Sequence, residues 1–495
     1  MGKRVNIGRL VTGVPGFDEL LGGGVPEFSF NLIAGTPGSG KTTLAHQLMF
    51  ALANPDRRAL FFTVLGEPPL KMLRYQQQFE FFDFDKVESS IRFVNLAADM
   101  VDGNFDRVIA RIIDEVQEYA PSLVFVDSFR SVVQSAPAGD QGFADLQLFI
   151  QQLGMQMTSW QATTFLIGEY LQPDTESGPV FTVADGILWL SQLVQGDSMV
   201  RKMQVVKMRG AAQKLGAHTF RIGSGGIHVF PRAVLQGPEH TTKDFAPTER
   251  MSMGVPMLDE MMGGGVPAGC SLLLVGPSGS GKTIMATEFL AEGARLGENG
   301  VIAAFEKSPN QLLSRKLTQL VEQGRIGVIN TRALDLSIDE ILYDLVTMIE
   351  KTNAKRVVID SLSGFELALS AIFRADFREA LYRLVAVLTS MGVTVLMTAE
   401  LEDRYTTLSF SSYGNAFLAD AIIMQRYVEL DGQFRRVMSV IKVRGSEHSK
   451  DVCFFDIVDG NTIVGERLTN YSGILSGQPK RRIRAKRIKK NLYNL

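Results

Sequence analysis

The chain has 495 residues, 45% hydrophobic and 21% charged, proportions that suit two ordinary globular domains better than one. Its two cysteines, Cys270 and Cys453, exclude a disulfide framework and a four-thiolate zinc site, and point to a reducing interior. The formal net charge is −2, but nine of the 51 Lys and Arg follow Glu466, beyond which no acidic residue occurs; the other 42 face 53 Asp and Glu, a net of −11, and such an acidic body does not fit a dedicated nucleic-acid binder.

The amino-terminal residues are polar, with no signal-peptide segment, and no run of about 18 apolar residues follows anywhere. A cytoplasmic protein without a membrane span is expected. The first landmark, Thr12 to Pro26 (TGVPGFDELLGGGVP), returns as Met253 to Pro267 (MGVPMLDEMMGGGVP), 241 positions on. Internal repetition of this kind is read before anything else, and here it indicates gene duplication.

In the first copy Phe30–Ala34 reads as a strand and 42–52 as a helix. Between them stands Gly35-Thr36-Pro37-Gly38-Ser39-Gly40-Lys41-Thr42, the G-x-x-x-x-G-K-[ST] pattern in its required strand-to-helix context. The glycines let backbone N–H groups turn around phosphate oxygens at the positive end of the helix. Lys41 then bridges the β- and γ-phosphates of ATP, and the Thr42 hydroxyl serves Mg²⁺.

Apolar runs at 59–64, 123–126 and 164–167 give further strands of a parallel sheet covered by helices on both faces. Asp127 ends one of them and is the expected Mg²⁺ carboxylate, although a lone strand-end Asp is more often a cap. Segments 203–208 and 218–222 suit hairpin strands at one edge. The first carries Lys207 and is followed by Arg209, two cations on one strand face. Two exposed strand residues are the bland alternative, which recurrence in the second copy outweighs. Such cations act in trans on a neighbour's γ-phosphate in ring ATPases.

Residues 236–250 lack apolar periodicity and carry Pro238 and Pro247, so they form the expected linker between domains at 1–235 and 251–470. The second copy repeats the phosphate loop as Gly276-Pro277-Ser278-Gly279-Ser280-Gly281-Lys282-Thr283, with Asp360 as its Mg²⁺ carboxylate and Lys442 and Arg444 as its cation pair. Glu306 ends the strand 301–305 and is the expected group that orients or deprotonates water. The aligned residue in copy one is Leu65, followed by Gly66, so the first site is expected to bind ATP and hydrolyse it poorly. Asp431-Gly432 marks a hairpin turn, and residues 471–495 form a basic tail read as a solvated extension or an electrostatic tether.

Together the tandem phosphate loops, the strand-end carboxylates and the two K-x-R-G segments resemble the KaiC family over residues 1 to about 480. The resemblance implies two tandem RecA-like P-loop NTPase domains of α/β class and a homohexameric double ring. It also implies ATP at the subunit interfaces and regulatory protein partners. Glu306-Lys307 stands where the family has two adjacent glutamates. KaiC clock proteins also phosphorylate an adjacent Ser-Thr pair; anchoring on Asp420-Ala-Ile-Ile puts Ala416 and Phe417 there, neither bearing a hydroxyl. An Mg²⁺-dependent ATPase is the leading expectation. The alternatives are a Ser/Thr autokinase or protein kinase, for which Ser409, Ser411, Ser412 and Tyr413 offer displaced acceptors, and a RecA-type DNA-dependent ATPase.

Overall fold

The computed structural model describes residues 7–64, 69–99, 105–134, 140–171, 179–195, 198–232, 249–305, 315–330, 336–374, 377–401, 418–430, 432–469, 471–473 and 480–481. The chain divides into two compact units, Met1–Arg232 and Ala233–Leu495.

The first unit opens with β1 (Arg9–Leu10) paired to β2 (Val25–Pro26). Its main sheet holds β3 (Phe30–Gly35), β4 (Ala59–Thr63), β5 (Ile91–Asn95), β6 (Leu123–Asp127), β7 (Thr163–Glu169), β8 (Gly186–Gln195), β9 (Ser198–Met208), β10 (Ala217–Gly223) and β11 (Gly226–Phe230). The spatial order is β11-β10-β9-β8-β3-β7-β6-β4-β5. All pairings from β5 to β8 are parallel, and β9, β10 and β11 continue antiparallel at one edge. The expected edge hairpins are therefore present.

The second unit repeats the plan. After β12 (Arg250–Met251) and β13 (Val266–Pro267) come β14 (Ser271–Gly276), β15 (Asn299–Ala304), β16 (Ile326–Asn330), β17 (Ala354–Asp360), β18 (Thr394–Glu400), β19 (Ala421–Leu430), β20 (Gln433–Val443), β21 (Val452–Val458) and β22 (Asn461–Arg467). Their order, β16-β15-β17-β18-β14-β19-β20-β21-β22, matches the first sheet strand for strand. In both units one strand separates the phosphate-loop strand from the Asp-bearing strand.

Strand alternation sorts the core into two faces. In the first sheet Ile33, Phe61, Phe125 and Phe165 pack on the helix Lys41–Leu52, while Leu32, Phe62, Val126 and Leu166 pack on the helices at 105–119 and 140–159. The first face is an aromatic stack: Phe125 lies 4.9 Å from Phe165 and 5.9 Å from Phe61, between ring centroids, and His46 stacks on Phe61 at 4.7 Å. The ring is fully buried, and burial pushes the His46 pKa down from 6.5 to about 4, opposed only by the backbone of Thr42.

A pH dependence follows. Between pH 6.5 and about 4 the unfolded chain binds a proton at His46 that the folded domain refuses. Nothing is lost above pH 6.5; the penalty builds as pH falls and reaches about 2 kcal/mol at pH 5. Denaturant unfolding of the first domain at pH 7 and pH 5 checks this, and His46→Phe is expected to flatten the slope. An unchanged slope would assign the dependence to other groups.

The neighbouring helix position braces the added strands. Gln47 accepts a bond from the Ile227 amide at 2.6 Å and donates to the Ile227 carbonyl at 3.2 Å. Its counterpart Glu288, on the helix Lys282–Arg295, accepts from the Thr462 amide at 2.7 Å. Burial raises the Glu288 pKa, partly offset by those hydrogen bonds. Cys270 and Cys453 are both free and buried, and burial pushes the Cys270 thiol to about 12.

The tail departs from expectation at one point. Lys480–Arg481 pairs antiparallel with Tyr471–Ser472, inside the segment whose sequence reads as a solvated extension or an electrostatic tether. The physical reason lies upstream: Leu468 and Tyr471 pack on Val428, Leu430 and Val437 of the β19–β20 hairpin, which fixes the strand that 480–481 joins.

Candidate nucleotide-binding sites

Each phosphate loop leaves the carboxyl end of a buried central strand and enters a helix. Gly40 and Gly281 precede those helices in left-handed conformation, with φ of 102° and 104°. A side chain is strained at that φ whatever the room around it, so the turn calls for glycine. The helix N-terminus is thereby left bare, with no side-chain cap in either copy. Its N–H groups face the cleft, as an anion site requires.

Lys41 is buried, and its Nζ donates to the Thr36 carbonyl at 2.8 Å. Burial lowers its pKa, while the carboxylates of Glu169, 3.9 Å away, and Asp127 oppose that shift. Lys282 curls the same way onto the Gly276 and Pro277 carbonyls, each at 2.8 Å. The Thr42 hydroxyl donates to Asp127 Oδ2 at 2.8 Å, and Thr283 does the same to Asp360 Oδ2 at 2.8 Å. In the second site Thr398 donates to the other oxygen, Oδ1. A hydroxyl and a carboxylate meeting over the first helical turn are the oxygen donors a hard divalent cation takes, so the residues fit Mg²⁺.

The first loop borders a cleft of about 750 Å³ that Lys41, Thr42, Asp127, Ser128, Arg130 and Glu169 help to line. A cavity of about 800 Å³, with Phe28, Arg57 and Trp160 among its lining residues, lies at the opposite strand ends, away from the phosphate loop.

Glu306 and Lys307 fall outside the described residues, as do Leu65 and Gly66 and the segment holding Ser409 to Phe417. The strands that lead to the first two pairs are described. Ala304 lies beside Asp360 and Thr63 beside Asp127, in register. Both strands therefore end beside the aspartates that pair with the phosphate-loop threonines.

The two cation pairs lie elsewhere. Lys207 donates to the Thr182 carbonyl at 3.3 Å and Lys442 to the Ala419 carbonyl at 2.7 Å. Burial lowers the Lys207 pKa, and the Arg209 charge adds to that. Arg209 and Arg444 pair with Asp185 and Asp420 at 3.0 and 3.1 Å. These aspartates bond to Phe30 and Ser271, the first residues of β3 and β14, whereas the phosphate loops follow the last. A six-residue strand is roughly 16 Å long, further than an arginine reaches. Neither pair can touch its own domain's phosphate loop.

Two features escape the sequence reading. Glu169 and Glu400 end β7 and β18, in register with Gly35 and Gly276, so each sheet presents a further carboxylate beside its phosphate loop. Both end an apolar run, a signal present in the sequence. Asp185 and Asp420 are the other, and their recurrence 235 positions apart was available too.

Comparison with known proteins agrees with this geometry. The family model described as ATPase: KaiC matches residues 10–234 and again 251–468. The circadian clock oscillator protein KaiC of Parasynechococcus marenigrum is 28% identical over 492 residues, covering 97% of this chain and 94% of that one. The circadian clock protein KaiC3 of Synechocystis sp. is 29% identical over 489 residues, covering 96% and 95%. With both halves matched by one ATPase family and both carrying complete phosphate loops, this chain belongs to the KaiC family of ATPases.

Proposed function

We propose that the chain binds MgATP in both domains, hydrolyses it chiefly in the second, and assembles as a homohexameric double ring whose nucleotide state is read by protein partners. The observation that carries this reading is the repeated threonine–aspartate pair, 2.8 Å apart over each phosphate-loop helix. Thr42 with Asp127 and Thr283 with Asp360 would hold Mg²⁺, which supplies charge neutralisation on the phosphates when bound. Lys41 and Lys282 give up their carbonyl partners for phosphate oxygens, and the bare helix ends add backbone donors. Glu306 takes a proton from the attacking water.

The ring is supported by the cation pairs. Lys207 with Arg209 and Lys442 with Arg444 lie too far from their own phosphate loops to serve them, so a neighbouring subunit's γ-phosphate is their natural target. The names of the relatives concern a circadian clock, and readout of hydrolysis by partners is the corresponding output here. Phosphoryl transfer to the family's Ser-Thr pair is not part of the proposal, because Ala416 and Phe417 offer no hydroxyl.

Phosphate release from MgATP tests the reading. Lys282→Ala is expected to remove most turnover, at least about tenfold, since a charge-assisted contact to the transferring phosphate is lost. A wild-type rate in that variant would refute hydrolysis in the second domain. Stimulation by single-stranded DNA would favour a RecA-type motor instead.

A further inference from the structure

We propose that Asp185 and Asp420 are positioning residues, each holding the arginine destined for the adjacent subunit and tying it to the first residue of its own phosphate-loop strand. The inference rests on the trans reading of Arg209 and Arg444 given above.

The geometry is the same twice. In the first domain Asp185 Oδ1 pairs with Arg209 Nη1 at 3.0 Å, and Oδ2 accepts from the Phe30 amide at 3.1 Å. The Asp185 amide donates to the Phe30 carbonyl at 2.7 Å, and the Arg209 amide to the Asp185 carbonyl at 2.9 Å. In the second domain Asp420 Oδ1 pairs with Arg444 Nη1 at 3.1 Å, and Oδ2 accepts from the Ser271 amide at 3.1 Å and its hydroxyl at 2.9 Å. The matching backbone bonds are both 2.8 Å. Four equivalent bonds kept through duplicated halves whose sequences have diverged mark a constrained device.

Its chemistry suits presentation rather than burial. The arginine side chains are 62% and 66% exposed, whereas the aspartates are 31% and 29% exposed. One guanidinium N–H is held from behind, and a planar group with five donors keeps its outward edge for phosphate. A surface ion pair of this kind adds little stability, so its worth lies in orientation. The other carboxylate oxygen sits on the strand that ends in the domain's own phosphate loop. Movement of that strand on nucleotide binding would therefore move the arginine aimed at the next site.

Asp420→Asn discriminates. An amide has one acceptor oxygen and cannot serve both the Ser271 donors and Arg444. The variant should melt normally, bind ATP with unchanged affinity, and lose kcat of the second domain by about tenfold or more. It is then assembled in a 1:1 mixture with Lys282→Ala, which has a dead phosphate loop and an intact arginine. Where an Asp420→Asn phosphate loop meets a Lys282→Ala neighbour the site is whole, so about a quarter of the sites regain turnover in a statistical ring. A purely structural defect would not be rescued by a neighbour, and absence of recovery overturns the proposal. The reference mixture is Arg444→Ala with Lys282→Ala. If that recovers alone, the positioning role fails while the trans arginine stands; if neither recovers, the trans reading itself falls. Should Asp420→Asn fail to fold, Asp420→Glu, which keeps the charge but displaces the carboxylate by a methylene from the Ser271 amide and Arg444, takes its place in the same mixture, and an undiminished kcat there is equally fatal.

Discussion

Glu306→Gln is expected to slow ATP hydrolysis in the second domain by about two to four orders of magnitude while ATP stays bound. The amide keeps the shape of the side chain but cannot take a proton from water. Everything proposed to hold the nucleotide, including Lys282 and the Thr283–Asp360 pair, is untouched. The strand leading toward Glu306 runs beside Asp360 as far as Ala304. Steady-state phosphate release together with binding of a fluorescent ATP analogue checks both halves of the statement. Whatever turnover survives belongs to the first domain, where Leu65 and Gly66 replace the carboxylates. Full activity in this variant would remove Glu306 from its role.

Lys41→Ala should act on assembly more than on chemistry. Its ammonium lies at the floor of the first cleft, and losing it is expected to weaken ATP binding there by about 10- to 100-fold. If ATP in the first domain joins neighbouring subunits, the variant stays as single chains at ATP concentrations where the wild type and Glu306→Gln form rings. Light scattering with and without ATP measures particle mass directly. Rings of full size in Lys41→Ala would assign the joining role to the second domain.

Much of this architecture is legible in the chain because its signals are local. A buried parallel strand announces itself as an unbroken apolar run, and the glycines at 40 and 281 are demanded by a turn that any reader of the motif expects. The cation pairs are visible as a repeated K-x-R-G, although their distance from their own phosphate loops is not, since it depends on the strand order β9-β8-β3. Arg356 is the clearest case of hidden information. It stands next to exposed Lys355 and looks like surface charge, yet it is 1% exposed. Its guanidinium bonds to Glu298 at 2.7 Å and to the Ser252 and Phe289 carbonyls, and lies over the Phe289 ring. Those partners lie between 58 and 104 residues away, and no periodicity records such a meeting. Glu169 and Asp185 were missed for the same reason: their partners are set by which strands lie side by side.

The adjacent helix positions 46–47 and 287–288 carry a last consequence. Duplication left a histidine in the first core and a carboxyl in the second, and burial lowers the pKa of the one and raises that of the other. Acid charges the unfolded form of the first, whereas it removes the burial penalty of the second as pH falls through the raised pKa of Glu288. At these sites the halves of one polypeptide therefore respond to acid with opposite sign. At these two positions, then, mild acidification costs the first domain stability and returns some to the second.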